Sequence, residues 1–268
     1  EPLKNLNEDQ ILIILSLASN LSTNFHESSF ILADYLASYE QYEKAIQIYN
    51  KIPKDHYLSE ISVLRISNLL FLEENNLSAI KYLTSHLTIS ESYEGLIRLG
   101  SYYRYESNWD EAIKTYNEAI KLKKDIQDIS LWEAYYYLGI SYERNKEWHT
   151  AEDFFFKSLN ILEDAPEVLN YLAYSYLEMN ENFPEAKLML EKALSQRPDD
   201  SYIIDSMGWY YFKVGEYNKA LPLFEYAITI DPSDPTINDH YGDVLWKTGN
   251  HMQARYQWQK SLNLEPEK

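Results

Sequence analysis

"DSYIIDSMGWYYFKVGEYNKALPLFEYAITIDP", residues 200–232, aligns without a gap on "DPTINDHYGDVLWKTGNHMQARYQWQKSLNLEP", residues 234–266. At this offset of 34 residues, Gly208 falls on Gly242, Gly215 on Gly249, Ala220 on Ala254, Phe224 on Trp258 and Pro232 on Pro266. Five coincidences at one offset mark an internal repeat, and a period in this range means stacked supersecondary units. Apolar residues spaced by three and four within each copy form helical stripes. Each unit therefore reads as two helices joined by a turn.

The template continues upstream. It asks for a large apolar residue followed by a small one, then an apolar or aromatic residue three further on. After a turn it asks for Ala, then a large residue four later. Leu172, Ala173, Tyr176, Ala186 and Leu190 satisfy it, with one extra residue in the turn "MNENFPEA". So do Leu138, Gly139, Tyr142, Ala151 and Phe155, and likewise Leu99, Gly100, Tyr103, Ala112 and Tyr116. Ile66, Ser67, Leu70, Ala79 and Leu83 follow, then Leu32, Ala33, Leu36, Ala45 and Tyr49. Seven units result, starting near residues 26, 60, 93, 132, 166, 201 and 235 of an array over 26–268. Asp234 is placed to cap the last unit, with Pro235 at its first helical position. Pro222 falls early in a second helix, in what the pattern makes its first turn, and is expected not to break it.

These residues resemble the tetratricopeptide repeat. The resemblance implies an all-α, right-handed superhelical solenoid of about seven helix-turn-helix repeats, whose first helices face a concave groove. Neighbouring repeats complete each other's cores. Residues 1–25 hold one apolar helix, "EDQILIILSLASNL", expected to be a cap or the remnant of an earlier repeat. "KLKKDIQDI", residues 121–129, is expected to be an extended helix end or loop.

Composition limits the function. The chain has 268 residues, 25 tyrosines, 7 glycines, no cysteine and a net charge of −18. Without cysteine there is no disulfide framework and no thiolate nucleophile. The acidic balance opposes binding to nucleic acid or to anionic membranes. The longest apolar run, Ile11 to Leu15, is far below the roughly 20 residues a membrane span needs. The sequence begins abruptly at "EPLKNL" with no signal peptide, which reads as a piece of a longer protein.

Candidate chemistry is sparse. Asp205, Ser206 and His240 invite comparison with a catalytic triad, but equivalent helices about 8–10 Å apart argue for a polar, solvent-facing surface instead. His240, Asp243 and Asp239 share a helical face, yet a metal site usually takes three or four ligands. No catalytic residue, metal or cofactor is expected, and no P-loop or dinucleotide fingerprint occurs.

A partner site is expected on the first helices. The positions that the framework leaves free give Arg65, Asn68, Arg98 and Arg104, then Tyr136, Tyr137, Asn170, Tyr171 and Tyr174. Tyr202, Asp205, Trp209, Asp239, His240, Asp243 and Trp246 follow. This strip passes from basic through aromatic to acidic and is the expected groove for a protein or peptide. Asn68 matches an asparagine of the carboxylate clamp found in co-chaperone repeats, but Leu64, Arg98 and Glu133 stand where that clamp carries Lys, Asn and Lys. Over about 165–260, "VLNYLAYSYLE", "DSMGWYYFKVGEYNKAL" and "INDHYGDVLWKTGNHMQARYQW" are similar to long repeat proteins of the proteobacterial envelope. Some of these are lipoprotein adaptors of carboxy-terminal processing proteases. That resemblance implies a non-catalytic scaffold in the bacterial envelope. The alternatives are a recruiting domain of a larger enzyme, or a module that self-associates through its terminal repeats.

Overall fold

The computed structural model describes residues 13, 17, 26–73, 75–123 and 128–264. Among them are fourteen α-helices and no strand. The helix expected within residues 7–24 lies outside the described residues apart from Ile13 and Leu17, as do the centre of the 121–129 insertion and Pro266. The first helices of the pairs are α1 (His26–Ser38), α3 (Ser59–Leu72), α5 (Tyr93–Tyr105), α7 (Leu131–Arg144), α9 (Pro166–Met179), α11 (Ser201–Lys213) and α13 (Pro235–Lys247). The second helices are α2 (Tyr42–Tyr49), α4 (Asn76–Leu87), α6 (Trp109–Leu122), α8 (Trp148–Ile161), α10 (Phe183–Gln196), α12 (Tyr217–Ile230) and α14 (His251–Asn263). The chain divides into two compact units, residues 1–126 with 140–148, and residues 127–139 with 149–268.

The repeated alanine explains the pairing. Ala45, Ala79, Ala112, Ala151, Ala186, Ala220 and Ala254 are all fully buried. A methyl group at the start of each second helix lets it lie close against the first. One turn later Tyr49, Leu83, Tyr116, Phe155, Leu190 and Phe224 are each at most 1% exposed. Four of the seven aromatic or leucine side chains at this position cover a glycine of the first helix. A Cβ on Gly100, Gly139 or Gly242 would lie 2.5, 2.4 or 2.5 Å from the nearest ring atom of Tyr116, Phe155 or Trp258. On Gly208 it would lie 3.0 Å from Phe224. At Gly100, Gly139 and Gly242 the close approach of the two helices requires glycine, and at Gly208 a Cβ would fit only if Phe224 gave way by a few tenths of an ångström.

Caps set the helix starts. Asp234 Oδ1 accepts the Ile237 N–H at 2.8 Å, with Pro235 in the first turn, as the sequence predicts. Asp200 accepts from Tyr202 and Ile203, and Ser92 Oγ from Gly95 at 2.9 Å. Pro222 is the sixth residue of α12, one turn deeper than the sequence reading placed it. Its ring removes the hydrogen bond that Asn218 O would otherwise accept, yet α12 runs on to Ile230.

The corner between the two helices of a pair has one recurring conformation. Glu40, Ser107, Lys146, Asn180, Gly215 and Gly249 occupy equivalent corners and all have positive φ, from 54° at Ser107 to 87° at Gly249. In each case the next residue's N–H reaches back to a carbonyl five residues earlier, as Glu216 N does to Tyr211 O at 2.9 Å. This is the helix-ending bond pattern of a left-handed C-terminal residue. The extra residue in "MNENFPEA" is accommodated by a second left-handed residue, Asn182, at φ 48°. A Cβ at Gly215 meets nothing within 4 Å. Gly215→Ala should therefore cost only the left-handed penalty, about 1 kcal/mol. Ser107→Gly should stabilise by about 0.5 kcal/mol once glycine's larger unfolded-state entropy is subtracted. Urea unfolding of the two variants checks both signs.

Candidate functional site

In the first unit, the predicted basic residues are tied to the preceding repeat. Arg65 Nε on α3 lies 3.3 Å from Asp34 Oδ1 on α1, with both side chains still partly in water. Asp34 also accepts the hydroxyl of the buried Tyr49. Arg98 Nη1 on α5 donates to Asn68 Oδ1 on α3 at 3.4 Å. Beneath them, Tyr102 OH donates to Ser67 Oγ at 3.2 Å, and its ring stacks on Phe71 with centroids 4.6 Å apart. Arg104 is half-buried near the end of α5. Arg65 and Arg98 thus keep a solvent edge while one hydrogen-bonding side is occupied.

In the second unit, the aromatic residues pack on one another. Tyr136 makes an edge contact with Tyr171, centroids 6.0 Å apart, and Tyr171 lies 5.4 Å from the buried Phe155 ring. Tyr137 OH donates to Glu133 Oε1 at 2.9 Å. Asn170 sits on the same helix as Tyr171 and Tyr174, and its buried Oδ1 accepts no hydrogen bond among the described residues. Leaving such an acceptor unsatisfied costs about 1–3 kcal/mol.

Trp209 on α11 is half-buried and engaged on its edge and on its ring. Its Nε1–H donates to Glu178 Oε1 on α9 at 2.7 Å. Its ring stacks on His240 of α13, centroids 4.0 Å apart and planes 12° apart, and on Phe212 at 4.8 Å. Lys213 Nζ lies 5.4 Å from the Trp209 ring and 3.9 Å from Glu178.

Asp205, Ser206 and His240 depart from the sequence reading. They were expected on a solvent-facing or groove-facing surface, too far apart to meet. Instead Asp205 is 4% exposed, Ser206 3% and His240 6%. His240 Nδ1 lies 2.9 and 3.1 Å from the two Asp205 carboxylate oxygens. The side chains bridge the gap that separates the helix axes. Ser206 does not join them, because its Oγ donates to Tyr202 O at 2.9 Å. Two members of the imagined triad meet, and the hydroxyl is turned back onto its own helix.

Electrostatics follow from this burial. Desolvation opposes the charged imidazole, but the Asp205 charge and hydrogen bond, with Asp239 and Asp243 behind them, outweigh it and raise the His240 pKa above the usual 6.5. Burial, then the nearby Asp239, raises the Asp243 carboxyl above its ordinary value, although Trp258 Nε1–H donates to it at 3.1 Å. Asp239 itself is exposed, as are Tyr202 and, less fully, Trp246. No three of His, Cys, Asp and Glu among the described residues gather as metal ligands.

One pattern was missed in the sequence. Asp34 with Arg65, Asn68 with Arg98 and Glu178 with Trp209 are partners about one period apart. His240 with Asp205, and Tyr102 with Ser67, repeat this 35 residues apart. Complementary side chains at offsets just below and just above the repeat length were the available signal.

A family model described as tetratricopeptide repeat matches residues 97–166 and 206–262. Anaphase-promoting complex subunit 3 of Schizosaccharomyces pombe is 22% identical over 222 residues, covering 81% of this chain. The chain spans about a third of that relative's length, 32%. The solved Cut9–Hcn1 assembly of the anaphase-promoting complex superposes with a TM-score of 0.71 at 16% identity, over 96% of this chain and 50% of the other. A tetratricopeptide repeat protein from Parabacteroides merdae also gives 0.71, at 17% identity, over 91% and 94% of the two chains. At these identities the likeness is one of fold. The chain has an all-α solenoid fold, with tetratricopeptide-repeat matches over residues 97–166 and 206–262. Among the described residues no helix is long and apolar enough to cross a membrane.

Proposed function

We propose that the chain is a non-catalytic scaffold or adaptor that binds a protein or peptide along its first helices. The observation that carries this reading is the division of labour on α11 and α13. Their inner residues tie neighbouring repeats together, while Tyr202, Asp239 and Trp246 remain at the surface, Tyr202 being 56% and Trp246 38% exposed. Tyrosine and tryptophan combine apolar area with a polar handle, which is the usual chemistry of interface hot spots. Among the described residues no hydroxyl bonds to the buried Asp205–His240 pair, Ser206 Oγ donating to Tyr202 O instead, which supports a binding role over a hydrolytic one. The likeness of residues 165–260 to envelope repeat proteins supports the bacterial cell envelope as the compartment. Cell fractionation with a chain-specific antibody tests it, and recovery from cytosol alone removes it.

The binding surface is tested with peptides selected from a random display library on the immobilised 268-residue chain. Tyr202→Ala combined with Asp239→Lys and Trp246→Ala is expected to weaken the selected peptides at least about tenfold, the loss of a single hot spot. All three residues lie at the surface, so helical circular dichroism should be retained. Equal binding by the folded triple variant overturns the assignment.

A further inference from the structure

Asp205 and His240 form the most deeply buried ion pair among the described residues, their side chains 6% and 7% exposed. The pair fastens two first helices, α11 and α13, and the imidazole lies flat on the Trp209 indole. Phe224 of α12 and Tyr174 of α9 close around the same ring, with centroids 6.0 and 6.2 Å away. A full charge in such a place is costly, and only a close partner of opposite sign compensates it.

We propose that this pair is a pH-operated clasp: protonated His240 fastens α13 to α11 and holds Trp209 in its stack, and loss of that proton loosens the last two repeats. The proton lost is the one on Nε2, since Nδ1–H is the donor to Asp205. Deprotonation turns a charge–charge contact into a charge–dipole one and leaves the Asp205 carboxylate buried without a counter-ion.

The groups that face the imidazole set the direction. From α11 there is Asp205, and from α9 the neutral Tyr174 phenol. Glu178 and Lys213 stand beside the Trp209 indole, and α12 contributes the uncharged Phe224. On α13 itself lie Asp239 and Asp243. Carboxylates outnumber the single lysine, so the surroundings favour the cation. Because the folded pKa is raised, the stabilisation is fully present below the unfolded value of about 6.5 and is lost as pH rises through the folded value. Burial raises the Asp243 carboxyl as well, so its linkage runs in the same direction from its ordinary value of 3.8 upward, and His240→Gln separates the two contributions.

The test is a titration of the whole chain from about pH 6 to about pH 9, across the histidine range. Imidazole resonances are followed by proton–nitrogen correlation spectra, and His240 is assigned by its contacts to the Trp209 ring. His240 is expected to titrate above about 6.5, with the Trp209 indole N–H signal moving at the same midpoint. Amide exchange in α13, corrected for intrinsic rates, should accelerate about tenfold per pH unit between those two values. His240→Gln should abolish that slope. A variant that fails to fold leaves the wild-type titration to decide. An imidazole titrating at or below about 6.5, or flat corrected exchange in α13, overturns the proposal.

Discussion

Phe155→Ala is expected to destabilise the second unit by about 3–5 kcal/mol, the usual cost of removing a buried ring. Phe155 is fully buried, covers Gly139 on α7 and contacts Tyr136 and Tyr171. The reciprocal change is more informative. A Cβ on Gly139 would lie 2.4, 2.6 and 2.9 Å from three atoms of that ring. The ring is flanked by the two tyrosines, with centroids 6.2 and 5.4 Å away. Overpacking costs about 1–3 kcal/mol, and only about 1 kcal/mol returns from alanine's better helix propensity. The protein's own repeats supply the rescue. Glycine lies under Tyr116, Phe155, Phe224 and Trp258, whereas Ala173 and Ser67 stand at the position opposite Leu190 and Leu83. Ala33, opposite Tyr49, departs from this pairing, and nothing in the structure explains it. Gly139→Ala with Phe155→Leu recreates the Ala173–Leu190 combination. The double variant should therefore be more stable than the sum of the singles by at least about 1 kcal/mol, read from urea unfolding. Strict additivity would show that glycine is not selected by the ring above it.

Much of the fold was legible because each requirement is printed repeatedly. An alanine at the helix crossing every 33 to 39 residues, and a small residue 12 or 13 positions before it on the first helix, report the close approach of two backbones. The corner was only half legible. Gly215 and Gly249 announce a left-handed residue, but Glu40, Ser107 and Lys146 adopt the same conformation with no glycine to signal it. There the flanking helices impose the turn, and the side chain tolerates the strain.

The candidate site was less legible, for a physical reason. Template positions left over from the framework were read as free to face a partner. Many of them instead meet the same leftover positions of the next repeat. Helix axes about 8–10 Å apart still allow two long side chains to touch, so axis spacing was the wrong measure for Asp205 and His240. Tyr202, Asp239 and Trp246 stay at the surface even though the Tyr202 hydroxyl meets Asp234 and the Trp246 ring lies 5.5 Å from that of Trp258. The useful sequence test is therefore whether a polar residue has a complement about one repeat away, which marks it for contact between repeats before contact with a partner.

Asp205→Ala carries the second large effect. Removing one member of a buried, hydrogen-bonded ion pair leaves the other charge uncompensated, at a cost of about 3–5 kcal/mol. At pH values where His240 is protonated, the loss should fall in that range, because the ring is 7% exposed and has no other carboxylate within ion-pair distance among the described residues. Replacing both residues separates the cost of an orphaned charge from the worth of the pair. With Asp205→Leu and His240→Leu together, the desolvation penalty disappears, and the result should lie near wild-type stability or above it. If the double variant holds its fold but the Trp209 indole leaves Phe212 and Glu178, the pair is kept for the arrangement of the face and not for stability. The readouts are urea unfolding for the energy and the Trp209 indole N–H shift, fixed in wild type by Glu178 at 2.7 Å, for the arrangement. A single variant costing less than about 1 kcal/mol would mean that the imidazole is neutral in the folded protein. Asp205 would then be held by a hydrogen bond alone, and the face of α11 and α13 would owe its order to the aromatic stack.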